Sequence, residues 1–356
     1  MFRFFARKQS YVATLPNGQR VTVKPGENLL KAALEAGIAW PHNCRVGSCG
    51  ECRSRLVSGK IKALNDFSYV LSGAELDDGM ILACQTCLRS DIEVDVQIDG
   101  SVALNKPESS PGWIVGHRML THDIVELCIR LNEPMPAYLP GQYAELSIPG
   151  VVDEPRAYSY ATSPTGQDID TVTFFVRRVP GGRMTGWLHE TDRSGTKVVV
   201  NGPFGNFWLR KSHKPAVFVC GGSGLAPIKA LLEQLSAEGF GRDVRLVFGA
   251  RSQRDLYCVE DIEAISRTAG GRFSFLPVLS EEPADSGWKG LRGLCTEYIV
   301  DPNTDISESD AYLCGPPGMV DAAIEVLQTN NVGDDCIYFD KFLDASHAPK
   351  ARVANV

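Results

Sequence analysis

Four cysteines form the most specific chemical pattern in this sequence. Three follow the spacing C-x4-C-x2-C and the fourth comes after a gap of 31 residues: Cys44, Cys49, Cys52 and Cys84. Thiolates at this spacing are typical of a plant-type [2Fe–2S] cluster. The small residues Gly47, Ser48 and Gly50 let the backbone wrap closely around such a cluster and point N–H groups at its sulfurs. The pattern therefore predicts a centre that transfers one electron at a time.

A zinc site and a disulfide framework fit these cysteines less well. A structural zinc site usually combines two C-x2-C pairs, or one such pair with two nearby histidines. The pairs Cys49/Cys52 and Cys84/Cys87 allow the first arrangement, but it would leave Cys44 and the C-x4-C spacing unexplained. A disulfide framework needs an oxidising compartment, whereas the sequence shows no secretory signal and its 11 cysteines are an odd number. Cys87 is a second candidate for the fourth ligand, but the apolar run Met80–Leu82 favours Cys84.

Length and composition describe an ordinary globular protein of several domains. With 356 residues the chain is too long for one core and fits two or three domains of about 100–150 residues each. No apolar stretch approaches the ~18 residues of a transmembrane helix. The net charge of −7 is not that of a nucleic-acid-binding protein, which needs a strongly basic domain. We therefore expect a cytoplasmic protein, for which any association with a membrane would be made through a partner.

The chain begins with a predicted cluster domain and a linker. Residues 1–103 show a hairpin pattern around Asn17 and Gly18, a helix over residues 27–36 that ends at Gly37, and a closing strand near residue 95. These elements predict a small β-grasp-like α+β domain. Residues 104–112 are polar and contain two prolines, so we expect a linker there.

Two further domains follow the linker. Residues 113–210 contain short apolar runs separated by turn signals, as in an antiparallel β-barrel. Residues 211–356 alternate strand-like and helix-like runs, one of them over residues 256–267, which is typical of a doubly wound α/β domain with a parallel sheet. The sequence therefore predicts a multidomain fold of three parts.

Two glycine-rich turns stand at strand ends in the last domain. Gly222 and Gly224 follow the apolar run VFVC, and a helix-like run starts near Pro227. A single turn of this kind also occurs in a plain strand–helix connection, and the full G-x-G-x-x-G fingerprint is missing. A second turn begins at Cys314 and Gly315. Because ligands of a doubly wound sheet bind at the carboxyl ends of its strands, the two turns together predict one dinucleotide crevice.

The middle domain carries two segments suited to a flavin nucleotide. In RAYS, Arg156 can bind a phosphate, Tyr158 can lie against a flat ring and Ser159 can reach a ring nitrogen. The same residue types are also ordinary for a β-strand. Downstream, a glycine turn before a short helix offers a second phosphate-binding candidate, through Gly182, Met184 and Thr185.

These motifs, in this order, resemble the ferredoxin–NAD(P)H reductase family, and within it the oxygenase reductases with an N-terminal plant-type ferredoxin domain. The resemblance extends from about residue 20 to residue 342 and includes the four cysteines, LPGQY, RAYS, GGRMTGWL, GGSGLAPIK and YLCGPPGMV. The segments GARSQRDLYC and PVLSEE are most similar to the electron-transfer components of the xylene monooxygenase group, which serve the oxidation of aromatic hydrocarbons.

The resemblance implies a role for each site residue. FAD would be bound at its phosphate, ring and N5 by Arg156, Ala157, Tyr158 and Ser159, and at its pyrophosphate by Gly182, Met184 and Thr185. The nicotinamide nucleotide would be bound by Gly222, Gly224, Cys314 and Gly315. Ser159 and Cys314 would lie nearest the reacting atoms. Phe342 resembles the aromatic residue that the family places near the flavin.

The choice between NADH and NADPH is predicted to depend on residues 249–255. Asp255 suits a ribose hydroxyl, which favours NADH, but Arg251 and Arg254 leave NADPH as an alternative.

The implied function is electron transfer from NADH through FAD and the [2Fe–2S] cluster to a separate oxygenase or hydroxylase component. That partner is a membrane-bound di-iron, soluble di-iron or Rieske enzyme, and the similarity to the xylene system favours the first. The six histidines, His42 included, are interpreted as structural or exposed. The alternatives are a reductase for a deoxysugar dehydrase, a flavin oxidase, and a binding module that has lost a cofactor.

Overall fold

The computed structural model describes residues 10–42, 45, 47, 50–98, 105–165 and 170–342. Two compact units divide the chain, residues 1–107 and residues 108–356. None of the helices in these ranges has both the length and the apolar character needed to cross a membrane.

The first unit is a small mixed sheet with one packed helix. Its strands are β1 (Tyr11–Thr14), β2 (Arg20–Val23), β3 (Arg53–Ser58), β4 (Ile61–Ala63), β5 (Met80–Leu82), β6 (Thr86–Leu88) and β7 (Ile92–Asp95). Its helices are α1 (Leu29–Glu35) and α2 (Gly73–Asp77). The main sheet has the order β2-β1-β7-β3-β5, and β4 pairs with β6. Only the β1–β7 pair is parallel, so the sheet is mixed as predicted.

Helix α1 begins two residues later and ends one residue earlier than predicted. Asn28 caps its N-terminus by accepting a hydrogen bond from the Lys31 N–H at 2.8 Å. Gly37 follows the C-terminus with a φ of 75°, a left-handed conformation that favours glycine. The buried face, which includes Leu29, Leu30 and Ala33, packs into the core of this unit.

The first half of the second unit is a curled antiparallel sheet. Its strands are β8 (Glu108–Met119), β9 (Ile124–Leu131), β10 (Tyr143–Ile148), β11 (Val152–Ser159), β12 (Thr171–Arg177) and β13 (Lys197–Phe204), and α3 (Arg183–Glu190) precedes the last of them. The order is β11-β10-β13-β8-β9-β12. A bridge between Tyr160 and Phe174 joins the two outer strands, so the sheet curls as a barrel does.

The predicted linker is wrong in its second half, because β8 already begins at Glu108. Residues 108–112 pair with β13, with Glu108 opposite Gly202 and Gly112 opposite Val198. The polar composition suggested a loop, but the partner strand lies about 90 residues later in the sequence and is invisible to a local pattern.

The second half of this unit is a doubly wound α/β fold. Its strands are β14 (Ala216–Gly221), β15 (Val244–Ala250), β16 (Phe273–Leu279), β17 (Leu291–Arg292), β18 (Asp310–Gly315) and β19 (Ile337–Lys341), and its helices are α4 (Leu225–Glu238), α5 (Val259–Thr268) and α6 (Pro317–Thr329). The all-parallel sheet has the order β17-β16-β15-β14-β18-β19.

Strand β14 is buried on both faces, as expected for the centre of a parallel sheet. Phe218 and Cys220 belong to the core on one side, and Val217 and Val219 belong to the core on the other. Helix α5 begins three residues later than its predicted start, because Cys258 has a φ of 53° and breaks the helical run.

Candidate active site

Two of the four predicted cluster cysteines lie together in the first unit. Cys52 precedes β3 and Cys84 lies in the 3-10 turn after β5, and both are buried. The backbone N–H of Cys84 donates a hydrogen bond to Cys52 Sγ at 3.5 Å. Cys44 and Cys49 lie outside the described residues. Two buried sulfurs, one of which accepts a backbone N–H, fit the thiolate ligands of a [2Fe–2S] cluster.

The surroundings of Cys52 and Cys84 also fit a cluster loop. Gly47 and Gly50 have φ values of 82° and 80°, a conformation that lets the chain turn tightly between ligands. Cys87 lies instead in β6, paired with Lys62. His42 is buried and its Nδ1 lies 2.8 Å from the Trp40 carbonyl oxygen, and burial lowers its pKa to about 4. A buried ring bonded to the backbone fits the structural role expected for His42.

In the second unit, β11 brings the predicted ring-binding and pyrophosphate-binding residues together. Its Tyr158 donates a hydrogen bond through its hydroxyl to Met184 Sδ on α3 at 3.4 Å. Burial of this phenol raises its pKa, so it stays protonated and keeps its donor. Ser159 is the last residue of β11 and is buried. A buried hydroxyl of this kind suits a polar ligand atom.

The turn before α3 is built around a closely packed glycine. Gly182 is the N-cap of α3, and a Cβ on it would lie 2.5 Å from Thr185 Oγ1. That hydroxyl accepts a hydrogen bond from the Val179 N–H at 3.1 Å. Thr185 therefore holds the turn with its side chain, and the first backbone N–H groups of α3 are the groups that suit a pyrophosphate.

Arg156 and Ala157 lie on the same strand but are exposed. Arg156 shares a face of β11 with Tyr158, because strand side chains alternate. Its guanidinium pairs with the Glu154 carboxylate at 3.0 Å and donates to the Pro155 carbonyl oxygen at 3.0 Å. The structure thus places Arg156 beside the ring-binding residue, with its charge compensated by Glu154.

The two glycine turns of the α/β half are in direct backbone contact. Strands β14 and β18 are neighbours, with Cys220 opposite Cys314. A Cβ on Gly224 would overlap the carbonyl oxygen of Cys314 and lie 2.9 Å from Gly315 Cα. A Cβ on Gly315 would in turn lie 3.0 Å from the Gly221 carbonyl oxygen. Both turns therefore lie side by side at the carboxyl ends of neighbouring strands, which is where ligands of a doubly wound sheet bind.

Cys314 and Phe342 lie beside the second glycine turn. Cys314 is fully buried, and burial raises its pKa well above the usual thiol value, so it is a neutral thiol. The Phe342 N–H donates to the Gly315 carbonyl oxygen at 2.9 Å. This hydrogen bond fixes the aromatic residue that follows β19 against the second glycine turn.

Tyr257 is a site residue that sequence reasoning missed. Its buried hydroxyl donates to the Gly222 carbonyl oxygen at 2.8 Å, which pins the first glycine turn. Its ring also packs edge-on against Phe175 of β12, with ring centres 5.6 Å apart. A single tyrosine after a loop has no distinctive sequence signal, because its partner is a backbone carbonyl 35 residues earlier.

Asp255, predicted to bind a ribose, is already engaged by the protein. One carboxylate oxygen accepts hydrogen bonds from the Ser252 N–H at 2.9 Å and the Ser252 hydroxyl at 2.7 Å. The other pairs with Arg251 at 3.2 Å and lies 3.6 Å from His122 Nδ1. With only 9% of its surface exposed, Asp255 acts as a cap of the turn that follows β15.

The neighbouring Asp123 connects the barrel to the α/β half. Its carboxylate lies 3.3 Å from both Arg177 and Arg251. Burial by itself would raise the pKa of Asp123, but the Thr121 hydroxyl and the Arg177 charge outweigh it and lower the pKa. The carboxylate is therefore ionised at neutral pH and joins an arginine from each half.

A second connection between the halves was also missed. Lys229 of α4 is buried and pairs with the Glu233 carboxylate one turn later. The other oxygen of Glu233 accepts a hydrogen bond at 2.7 Å from the N–H of Ser163, four residues beyond β11. Helix α4, which starts directly after the first glycine turn, is therefore tied to the segment that follows β11.

Family models match three successive stretches of this chain. They are a 2Fe-2S iron-sulfur cluster binding domain over residues 13–89, an oxidoreductase FAD-binding domain over residues 112–208 and an oxidoreductase NAD-binding domain over residues 218–325. These matches confirm the predicted fold of three parts and the predicted cofactors: a [2Fe–2S] cluster, FAD and a nicotinamide nucleotide.

Individual relatives cover nearly the whole chain. The xylene/toluene monooxygenase electron transfer component of Pseudomonas putida is 40% identical over 95% of each chain. The reductase component of propane 2-monooxygenase from Mycolicibacterium goodii is 33% identical over 90% of this chain and 93% of its own. Among solved structures, an Amycolatopsis cytochrome P450 reductase is 31% identical with a TM-score of 0.81, over 93% of this chain and 98% of its own.

Proposed function

From its membership of the oxygenase reductases, we propose that this chain passes electrons from NADH to an oxygenase component. The oxygenase reductases are the members of the ferredoxin–NAD(P)H reductase family that carry an N-terminal plant-type ferredoxin domain, and this chain belongs to them. NADH donates two electrons together, and the flavin and the iron–sulfur cluster would allow these electrons to be passed on one at a time. The protein residues supply positioning.

The observation that supports this proposal is the close backbone contact of the two glycine turns at the carboxyl ends of β14 and β18. Gly224 and Gly315 meet backbone to backbone, which leaves main-chain groups facing a nucleotide at close range. Phe342 is bonded to the same turn. Ser159, with its buried hydroxyl, lies on β11 of the same compact unit.

Each predicted ligand set has a defined task in this proposal. Thiolates of the four cysteines hold the iron–sulfur cluster: Cys44, Cys49, Cys52 and Cys84. Tyr158 offers a ring face that Met184 keeps in place, and Ser159 offers a hydroxyl to the flavin ring. Cys314 contributes a neutral, buried thiol at the end of β18, which excludes water without adding charge.

We propose NADH rather than NADPH as the electron donor. Arg251 is engaged by Asp123 and Asp255, so its charge is largely compensated. The Gln253 N–H donates to the Glu282 carboxylate at 2.8 Å. Hydrogen bonds from Ser286 and Gln253 lower the pKa of Glu282, so it is ionised at neutral pH. A negative charge at this loop disfavours the 2′-phosphate of NADPH.

For the partner, we propose a hydrocarbon monooxygenase. The support is the 40% identity with the xylene/toluene monooxygenase electron transfer component. A membrane-bound hydroxylase is the first class to test, followed by soluble di-iron and Rieske components.

The test uses the purified full chain with its cofactors. We expect the absorbance of a flavin and of an iron–sulfur cluster. We expect kcat/KM to be at least tenfold higher with NADH than with NADPH. When a hydrocarbon monooxygenase component and its substrate are added, NADH consumption should become faster and hydroxylated product should form. A tenfold ratio corresponds to about 1.4 kcal/mol. NADH consumption that yields only reduced oxygen, whatever component is added, contradicts the proposal and favours a flavin oxidase.

A further inference from the structure

The side chain of Gln85 lies between a proposed cluster ligand and a neighbouring loop. Gln85 directly follows Cys84 and is only 9% exposed. Its Nε2 lies 3.8 Å from Cys84 Sγ, a distance at which an amide N–H donates to sulfur. Its Oε1 accepts a hydrogen bond from Asn65 Nδ2 at 3.0 Å. The amide therefore has one end on the sulfur and the other on Asn65.

The chemistry of a thiolate fixes which end faces which partner. A thiolate sulfur has no hydrogen to donate and can only accept a hydrogen bond. The NH2 group of Gln85 must therefore face Cys84, and its oxygen must face a donor. Asn65 supplies that donor through its own NH2 group. The two amides are consistent with each other only in this orientation.

The backbone holds Gln85 in the same place. Its carbonyl oxygen accepts a hydrogen bond from the Leu64 N–H at 2.8 Å, so residues 64 and 65 contact both its backbone and its side chain. On the opposite side, a Cβ on Gly47 would lie 2.5 Å from Gln85 Cγ. Gly47 thus leaves the room that the Gln85 side chain occupies against the predicted cluster loop.

We propose that Gln85 tunes the reduction potential of the cluster by donating a hydrogen bond to the Cys84 thiolate, and that Asn65 is a positioning residue that orients the Gln85 amide. Reduction adds one negative charge to the cluster, and an N–H directed at a ligand sulfur stabilises the reduced form more than the oxidised form. The donor therefore raises the potential. This inference rests on the proposed role of Cys84 as a ligand.

The experiment measures the midpoint potential of the cluster in the full-length holoprotein by redox titration followed by electron paramagnetic resonance. Gln85→Met keeps the side-chain length but removes the donor. We expect the midpoint potential of the cluster to be more negative in this variant. The equilibrium constant for reduction should fall about threefold to tenfold, and a tenfold fall corresponds to a shift of about 59 mV for one electron. The midpoint potential of the flavin in the same samples should stay unchanged.

Asn65→Ala tests the positioning role. We expect a smaller shift in the same direction, and no further shift when Asn65→Ala is added to Gln85→Met, because Asn65 acts only through the Gln85 amide. Because Asn65 is exposed, we expect N65A to fold and to assemble its cluster. The midpoint potential can therefore be measured in N65A even if Q85M assembles no cluster. An additional shift in the double variant overturns the positioning role of Asn65.

The whole inference is overturned if Q85M has the same cluster midpoint potential as the wild-type protein. If Q85M assembles no cluster, an unchanged midpoint potential in N65A overturns it instead. Cys84→Ser separates this failure from a failure of the ligand assignment. If C84S alters or abolishes the cluster signal while Q85M leaves the potential unchanged, only the hydrogen bond is wrong. If C84S leaves the signal unchanged, Cys84 is not a ligand and the proposed cluster site is wrong as well.

Discussion

In the first unit the predicted binding groups are side chains, whereas the two glycine turns of the second unit offer main-chain groups. Cys52 and Cys84 present buried sulfurs from two nearby turns. Gly224 and Gly315 present only backbone, from strands that are adjacent in the sheet but distant in sequence. The first site therefore depends on which side chains are present, and the second depends on which are absent.

This difference predicts where each unit is vulnerable. Removing a thiolate takes away the electron-transfer chemistry of the first unit. Adding one methyl group at the glycine turns of the second unit forces main-chain atoms apart, which costs stability as well as binding. The predictions that follow test the contrast, from the largest expected effect to the smallest.

The largest effect is expected for Cys84→Ala. Loss of one of four thiolates should abolish the [2Fe–2S] resonance signal and reduce electron delivery to the oxygenase to the level of iron-free protein. NADH oxidation with ferricyanide, which accepts electrons from the flavin, should continue. The matched control is Cys87→Ala, three residues later in β6, which should keep both signal and delivery. Equal signals in the two variants refute the assignment of Cys84.

Gly224→Ala should destabilise the second unit by about 3 kcal/mol, because the new Cβ meets the backbone of Cys314 and no side chain can move aside. NADH binding should be lost with it. Thermal unfolding and NADH titration measure both effects. The control is Gly241→Ala, whose Cβ has no atom within 4 Å, and which should change stability by less than about 0.5 kcal/mol.

Glu233→Gln should cost about 2 kcal/mol, because it removes a charged acceptor from the Ser163 N–H and leaves the buried Lys229 ammonium unpaired. Denaturant unfolding measures the loss. Glu238→Gln on the same helix is the control: its carboxylate accepts only an exposed bond from Gln234 at 2.8 Å, so the cost should stay below about 0.5 kcal/mol. Similar losses in the two variants mean that the Glu233 contact does not stabilise the unit.

Asp255→Asn should lower stability by about 1 kcal/mol, the usual value of a capping contact, while the KM for NADH changes less than about threefold. Ser252→Ala removes the other half of the cap. The double variant should be no less stable than the worse of the two single variants. A large rise in KM with unchanged stability shows instead that Asp255 binds the ribose.

Much of the fold was predictable because it depends on local patterns. The hairpin of β1 and β2, the helix that Gly37 ends and the alternation of β14, α4 and β15 follow from periodicity and turn residues, and all are present. The start of β8 was not predictable, because its first residues are strand only through pairing with β13. Local composition carries no information on such a distant partner.

The site shows the same division. The four cysteines and the glycine turns have fixed spacings or fixed sequence contexts, so they were identified as residues of interest from the sequence. The contacts of Tyr257 and Glu233 were missed, because each side chain bonds to a backbone group of a distant segment. Asp255 was assigned a ligand role from its residue type, whereas its actual hydrogen bonds are to its own turn.

The main-chain floor of the nucleotide crevice limits how the coenzyme preference of this enzyme can change. Substitution cannot reshape a surface made by Gly224 and Gly315 without breaking it. Directed evolution towards NADPH should therefore keep both turns constant and randomise the rim instead. Gln253, Arg254 and Glu282 offer side chains there that can be exchanged, and a library of these three positions is small enough to screen completely.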